Sequence, residues 1–157
     1  MSARNVDVSM NQLTPLITEL LGSGTDVEFT PTGNSMKPLW HHRRDIVKLT
    51  AVKPDEVKKW DVLLYRRADG NYILHRVVAV GENTFDFLGD AQFGIEKGVP
   101  KANVVAKVKG YKRKGKKYKS AEAVSHKLYI IFWCKTRGVR YFFFRAFKRI
   151  KKLFGAV

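Results

Sequence analysis

The sequence predicts a mainly β (α+β) fold: an antiparallel β-rich body led by one helix and followed by a basic, amphipathic helical tail. Three observations predict it. Between residues 26 and 111, short runs rich in Val, Ile, Leu, Tyr and Thr alternate with polar or Gly/Pro-containing turns, the pattern of half-buried strands. Before them, Leu13, Leu16, Ile17, Leu20 and Leu21 recur at helical spacing. After them the charge changes: residues 1–110 hold 15 Lys/Arg against 13 Asp/Glu, whereas residues 111–157 hold 15 Lys/Arg against the single acid Glu122.

The elements follow in order. The leading helix spans Met10 to Leu21, and Gly22-Ser23-Gly24 ends it. Strands are expected at Val27–Thr30, Asp45–Thr50, Val62–Arg66, Tyr72–Val80, Thr84–Leu88 and Val104–Tyr111. Asp69-Gly70 lies between two of them and supplies the positive φ angles of a tight hairpin turn. The basic run Lys112–Lys117 marks the boundary between a body over residues 1–119 and a tail over 120–157, and the tail reads as two helices broken near Gly138. A chain of 157 residues fits one domain with a sizeable core.

Composition narrows the classes. The one cysteine, Cys134, excludes an intramolecular disulfide and any multi-cysteine zinc site, and reads as a buried small hydrophobe. The four histidines are scattered and form no His-Glu-x-x-His helix, so neither a metal nor another cofactor is expected. The N-terminal segment Met1–Asp7 has no apolar core of a secretory signal. The longest strictly apolar run, Leu128–Cys134, is far short of the roughly 20 residues that span a bilayer. A cytoplasmic chain, peripheral at the membrane, is the expectation.

The chemistry concentrates in two places. Pro31-Thr32-Gly33-Asn34-Ser35-Met36-Lys37-Pro38 sets a serine on a corner. Gly33 allows the bend, Pro38 fixes the exit, Met36 offers an apolar wall to a bound peptide, and the Ser35 amide can donate to a developing oxyanion. His75 lies inside the strand Tyr72–Val80, on one face with Ile73 and Val77, while Leu74, Arg76 and Val78 take the other. A serine hydroxyl is a weak nucleophile until a base takes its proton, and an imidazole titrating near pH ~6.5 suits that work. Taken singly, a serine such as Ser35 is usually just a turn residue, and a lone histidine on an apolar face such as His75 is more often a satisfied core residue. His41 and His42 are nearer to Ser35 in sequence, but Arg43 and Arg44 follow them and the stretch reads as an exposed loop.

Four segments in order strengthen the pair. Thr32–Pro38, Trp60-Asp61-Val62-Leu63-Leu64-Tyr65, His75-Arg76-Val77-Val78 and Leu88-Gly89-Asp90-Ala91-Gln92 resemble the boxes of the signal peptidase I family and its relatives, the LexA-type self-cleaving repressors, over residues 26–110. The histidine at the base position is similar to the endoplasmic-reticulum type rather than the lysine type. The resemblance implies a serine endopeptidase in which Ser35 and His75 are completed by a carboxylate, Asp90 from the matched box or Glu96 six residues on. It also implies a leader or signal-like peptide as substrate, bound as an added strand. A carboxylate that accepts the imidazole N–H would fix its tautomer and stabilise the imidazolium. Either acid could do this, with turn capping the competing role for Asp90 and a solvated loop charge that for Glu96.

In the tail, Val139, Phe142, Phe143, Ala146, Phe147, Ile150, Leu153 and Phe154 fall in one helical arc, and Arg140, Arg145, Lys148, Arg149, Lys151 and Lys152 fall opposite. Tyr141 and Phe144 are the exceptions. An apolar aromatic face opposed by cations with no acid is the composition of an interfacial helix, so an anionic membrane surface is the expected partner. Packing on the protein's own sheet and nucleic-acid binding are the alternatives, the latter weakened because one N-terminal helix leaves no room for a helix-turn-helix. A catalytically silent module that only binds peptides is the other functional class.

Overall fold

Alternating apolar residues in the middle of the chain form one eight-stranded antiparallel sheet. The computed structural model describes residues 10–154, with side chains at all but positions 10, 11, 144, 147, 148 and 150–154. The elements are α1 (Met10–Gly22), β1 (Val27–Phe29), β2 (Ile46–Thr50), β3 (Val62–Arg66), β4 (Tyr72–Val80), β5 (Thr84–Leu88), β6 (Glu96–Pro100), β7 (Val104–Lys112), β8 (Lys119–Ser120), α2 (Val124–Tyr129), a π-helical turn (Ile130–Cys134) and α3 (Arg137–Phe154). The mainly β class with a helix at each end is therefore what the chain adopts.

The sheet runs β1-β2-β7-β3-β4-β5-β6, and β8 pairs with β7 beside this path. Strands β3 to β6 form a meander, and β7 returns between β2 and β3. Strand β3 is buried on both faces. Leu63 and Tyr65 join Val57, Val77, Phe85, Phe87 and Val99 in one apolar cluster. On the other side of the pleat lie Val62 and Leu64, both also buried.

Local chemistry explains the ends of the elements. Helix α1 closes where Gly24 takes φ +80°, with Thr25 N donating to Leu20 O (2.9 Å) and Gly24 N to Leu21 O (3.0 Å). This is a Schellman cap, which requires a left-handed residue and so favours glycine. At the β3–β4 hairpin only Gly70 has positive φ, whereas a tight two-residue turn needs it at both Asp69 and Gly70. Gly70 N bonds Arg67 O and Arg67 N bonds Asn71 O, so the loop carries one more residue, and Asp69 accepts from Asn71 N instead.

Two strands were not expected. Glu96–Pro100 lacks an alternating apolar run and is held by pairing with β5, while the two-residue β8 is held by β7. The chain divides into two compact units, one ending at Ala121 and one beginning at Glu122. In the second unit the break between the helical segments falls at Lys135-Thr136, close before Gly138, as the sequence reading has it. Thr136 Oγ1 bonds Phe132 O (2.5 Å) and Arg140 N bonds Thr136 O (3.1 Å), so the threonine ties the two segments together. Arg140 also stacks over Trp133, 3.9 Å from the ring centroid.

Candidate active site

Ser35 lies in the loop between β1 and β2, built from successive turns in which Lys37 N bonds Asn34 O and Leu39 N bonds Met36 O. Gly33 takes φ +99°, and its N–H donates to His42 Nδ1 at 2.7 Å. His42 therefore works as a brace for the loop. The loop leaves through a cis peptide at Lys37–Pro38. Met36, expected to wall a peptide site, is 3% exposed and belongs to the core beside Leu39 and Trp40; Pro38 is half-buried.

The serine turn is locked against the Gly89–Gln92 turn. Ala91 N donates to Ser35 O at 2.8 Å. A Cβ on Gly89 would lie 2.7 Å from that same carbonyl oxygen, so the close approach requires glycine. Among the described residues the Ser35 amide donates to no backbone carbonyl.

A second clasp holds the far end of the loop. The Asp45 carboxylate is fully buried and accepts from His41 N (2.9 Å), from Lys114 N (3.0 Å) and from Arg44 through two bonds of 2.7 Å. Burial alone would raise its pKa, but the Arg44 guanidinium and the two backbone N–H groups hold it down to about 2. This clasp is invisible in the sequence, because an acid opening a strand is ordinary and its second anchor is 69 residues away.

The two candidate acids are separated by strand parity. Asp90 is buried and bonds Arg76 through paired contacts, Nε at 2.7 Å and Nη2 at 2.6 Å, while Arg76 Nη1 reaches Trp60 O at 2.8 Å. Asp61 pairs with Lys107 (2.9 Å) and caps Lys58 N, a turn role. His75 points to the opposite face, among the apolar cluster, and is 3% exposed. There Tyr65 Oη lies 3.4 Å from His75 Nδ1 and donates to Glu96 Oε2 at 2.7 Å. Arg67 holds both carboxylate oxygens of Glu96.

Glu96 is thus the acid connected to His75, with a tyrosine standing where direct carboxylate–imidazole contact was expected. Tyr65 is the site residue that sequence reasoning missed. Burial pushes the His75 pKa down, helped by the Arg67 charge, from 6.5 to about 4, so the ring is neutral at pH 7. For Glu96 burial pulls upward, but the hydrogen bonds from Arg67 and Tyr65 prevail and keep it below its usual value. The Tyr65 hydroxyl is pushed far up, by burial first and then by the Glu96 charge.

Among the described residues no hydrogen bond joins Ser35 to His75, and the two are linked through the Gly89–Gln92 turn: Ser35 to Ala91, then Asp90 to Arg76, the chain neighbour of His75. No group of three or more His, Cys, Asp or Glu side chains able to hold a metal occurs among the described residues. No described helix is long and apolar enough to cross a membrane. Comparison with protein families, with curated proteins and with solved structures finds no match for the chain.

Proposed function

We propose that the chain is a serine endopeptidase resembling signal peptidase, which cleaves a leader or signal-like peptide at a membrane surface. The observation that carries this reading is the polar chain in an apolar cluster: a neutral, buried His75 backed through Tyr65 to an ionised, arginine-held Glu96. A histidine serving only as filler would need no charge behind it. Ser35 Oγ would attack the scissile carbonyl as its proton passes to His75, with the free Ser35 amide donating to the oxyanion. The proton would then go to the leaving amine as the C–N bond breaks, and water would repeat the cycle to release the acyl group. No cofactor enters.

Candidate leader peptides with small residues before the scissile bond test this by mass spectrometry. The wild type is expected to cleave, while Ser35→Ala and His75→Ala each lose at least roughly 1,000-fold in kcat/KM. Equal cleavage by all three would remove the mechanism. The missing Ser35–His75 hydrogen bond favours a second reading, a peptide-binding module, for which no variant cleaves and all bind.

The tail would bring the body to anionic lipid. Phe132, Val139, Phe142 and Phe143 are exposed, with Phe132 71% and Phe142 69% accessible, and the cations Arg145 and Arg149 share α3 with Val139, Phe142 and Phe143. The expected face members Phe147, Ile150, Leu153 and Phe154, and the cations Lys148, Lys151 and Lys152, have side chains outside the described residues. The protein is expected to float with phosphatidylserine vesicles and not with phosphatidylcholine alone. Arg145→Gln/Arg149→Gln should weaken binding about 30-fold, since each basic residue contributes about 1 kcal/mol near an anionic surface. Failure of the wild type to float would end the membrane proposal.

A further inference from the structure

We propose that Tyr65 is a positioning residue that fixes His75 as the Nδ1–H tautomer and so leaves Nε2 as the base, an inference that rests on the reading of His75 as the proton acceptor for Ser35. Tyr65 Oη carries one hydrogen and sits between two partners, Glu96 Oε2 at 2.7 Å and His75 Nδ1 at 3.4 Å. An ionised carboxylate can only accept, so the Tyr65 hydrogen is committed to Glu96. Arg67 donates to both Glu96 oxygens and keeps that carboxylate charged. The contact to His75 can then be attractive only if Nδ1 carries a hydrogen and donates it to the phenol oxygen. Were Nδ1 bare, two lone pairs would face each other in a dry site, where unpaired polar atoms are most costly.

The geometry of the ring supports a fixed arrangement. Tyr65 is fully buried and stacks on Phe87, with centroids 3.9 Å apart and planes 9° from parallel, so its hydroxyl cannot swing away. Register places it correctly: Leu63 is opposite His75 and Tyr65 is opposite Ile73, so the phenol stands one pair along the same face. Neutral imidazole has two tautomers, and a hydrogen bond to one nitrogen decides which nitrogen keeps the lone pair. Glu96 therefore acts at one remove, through the phenol.

Two variants test this in the full chain. Imidazole 15N–1H correlation spectra should show His75 as Nδ1–H in the wild type. In Tyr65→Phe, which keeps the ring and its stacking, the fixed tautomer should give way to a mixture. In Glu96→Leu, which removes the carboxylate that takes the phenol hydrogen, that hydrogen is released to turn to Nδ1 and the tautomer should invert. Nε2 would then carry the hydrogen, and kcat on a cleaved leader peptide should fall roughly 100-fold or more with KM little changed, since a wrongly set tautomer cannot accept the serine proton. A wild-type ring in the Nε2–H form, or identical spectra in all three proteins, would overturn the proposal even if the wild type cleaves. If the spectra change as stated and nothing is cleaved, the positioning stands and the peptidase reading fails.

Discussion

Arg76→Met is expected to lower the stability of the body by about 3–5 kcal/mol, because it leaves the buried Asp90 carboxylate without its guanidinium. Both side chains are almost wholly withdrawn from water, at 1% and 3% exposure, so solvent cannot substitute for the lost partner. The arginine also satisfies Trp60 O, in a residue held at φ +82° whose N–H bonds Val77 O at 2.9 Å. Its loss would loosen the turn into β3 as well. Urea unfolding should register the change as a lower midpoint with little change in slope. Asp90→Leu in the Arg76→Met background should recover most of the loss, since an apolar pair replaces a buried ion pair at small cost. A single Arg76→Met variant as stable as wild type would mean the ion pair carries no structural weight.

Stability should fall by about 3 kcal/mol as the pH drops from about 6.5 to about 4, through His75 alone. The sign follows from its lowered pKa. Below pH ~6.5 the unfolded chain takes up a proton on this imidazole, whereas the folded chain refuses it until about 4, so acid favours unfolding across that window. Below about 4 both states are protonated and the contribution levels off. His75→Leu should flatten the window. Asp45 contributes in a separate one: with its pKa lowered from 3.8 to about 2, its stabilisation is present above pH ~4 and lost as pH falls toward 2. Calorimetric melting from pH 7 to about 4, and then from about 4 to about 2, distinguishes the two, and a flat wild-type profile between about pH 7 and 4 would refute this role of His75. If His75 is the base, its low pKa also extends cleavage to acid, with the lower limb near pH 4 rather than 6.5.

The strands β1 to β5 and β7 were legible because short apolar and β-branched runs stood between recognisable turns in each. Glu96-Lys97-Gly98-Val99-Pro100 has a single apolar strand former, Val99, between Gly98 and Pro100, and its strand exists because β5 presents an edge for it. The candidate site was legible as far as Ser35, His75 and two acids. Choosing between the acids depended on register. A two-residue turn on Asp69-Gly70 would set Tyr65 opposite Leu74 and away from the His75 face. The longer loop pairs it with Ile73 instead, and a slip of one residue exchanges the faces of a strand. That slip brings the phenol to His75 and gives Glu96 its route there, while Asp90 is taken by Arg76 on the other face.

The place of β7 in the sheet bears on how the site comes into being. Ser35 hangs from β1 and β2, whereas His75, Asp90 and Glu96 belong to the β3–β6 meander and the turns within it, and among the described residues strand pairing joins those halves only through β7. That strand is made after both. As the chain leaves the ribosome, Ser35 and His75 would each be present in a partly folded piece while the pairing that aligns them awaits residues 104–112. Assembly is thus coupled to the last long strand, so a nascent chain would carry both halves of the site before it could use them.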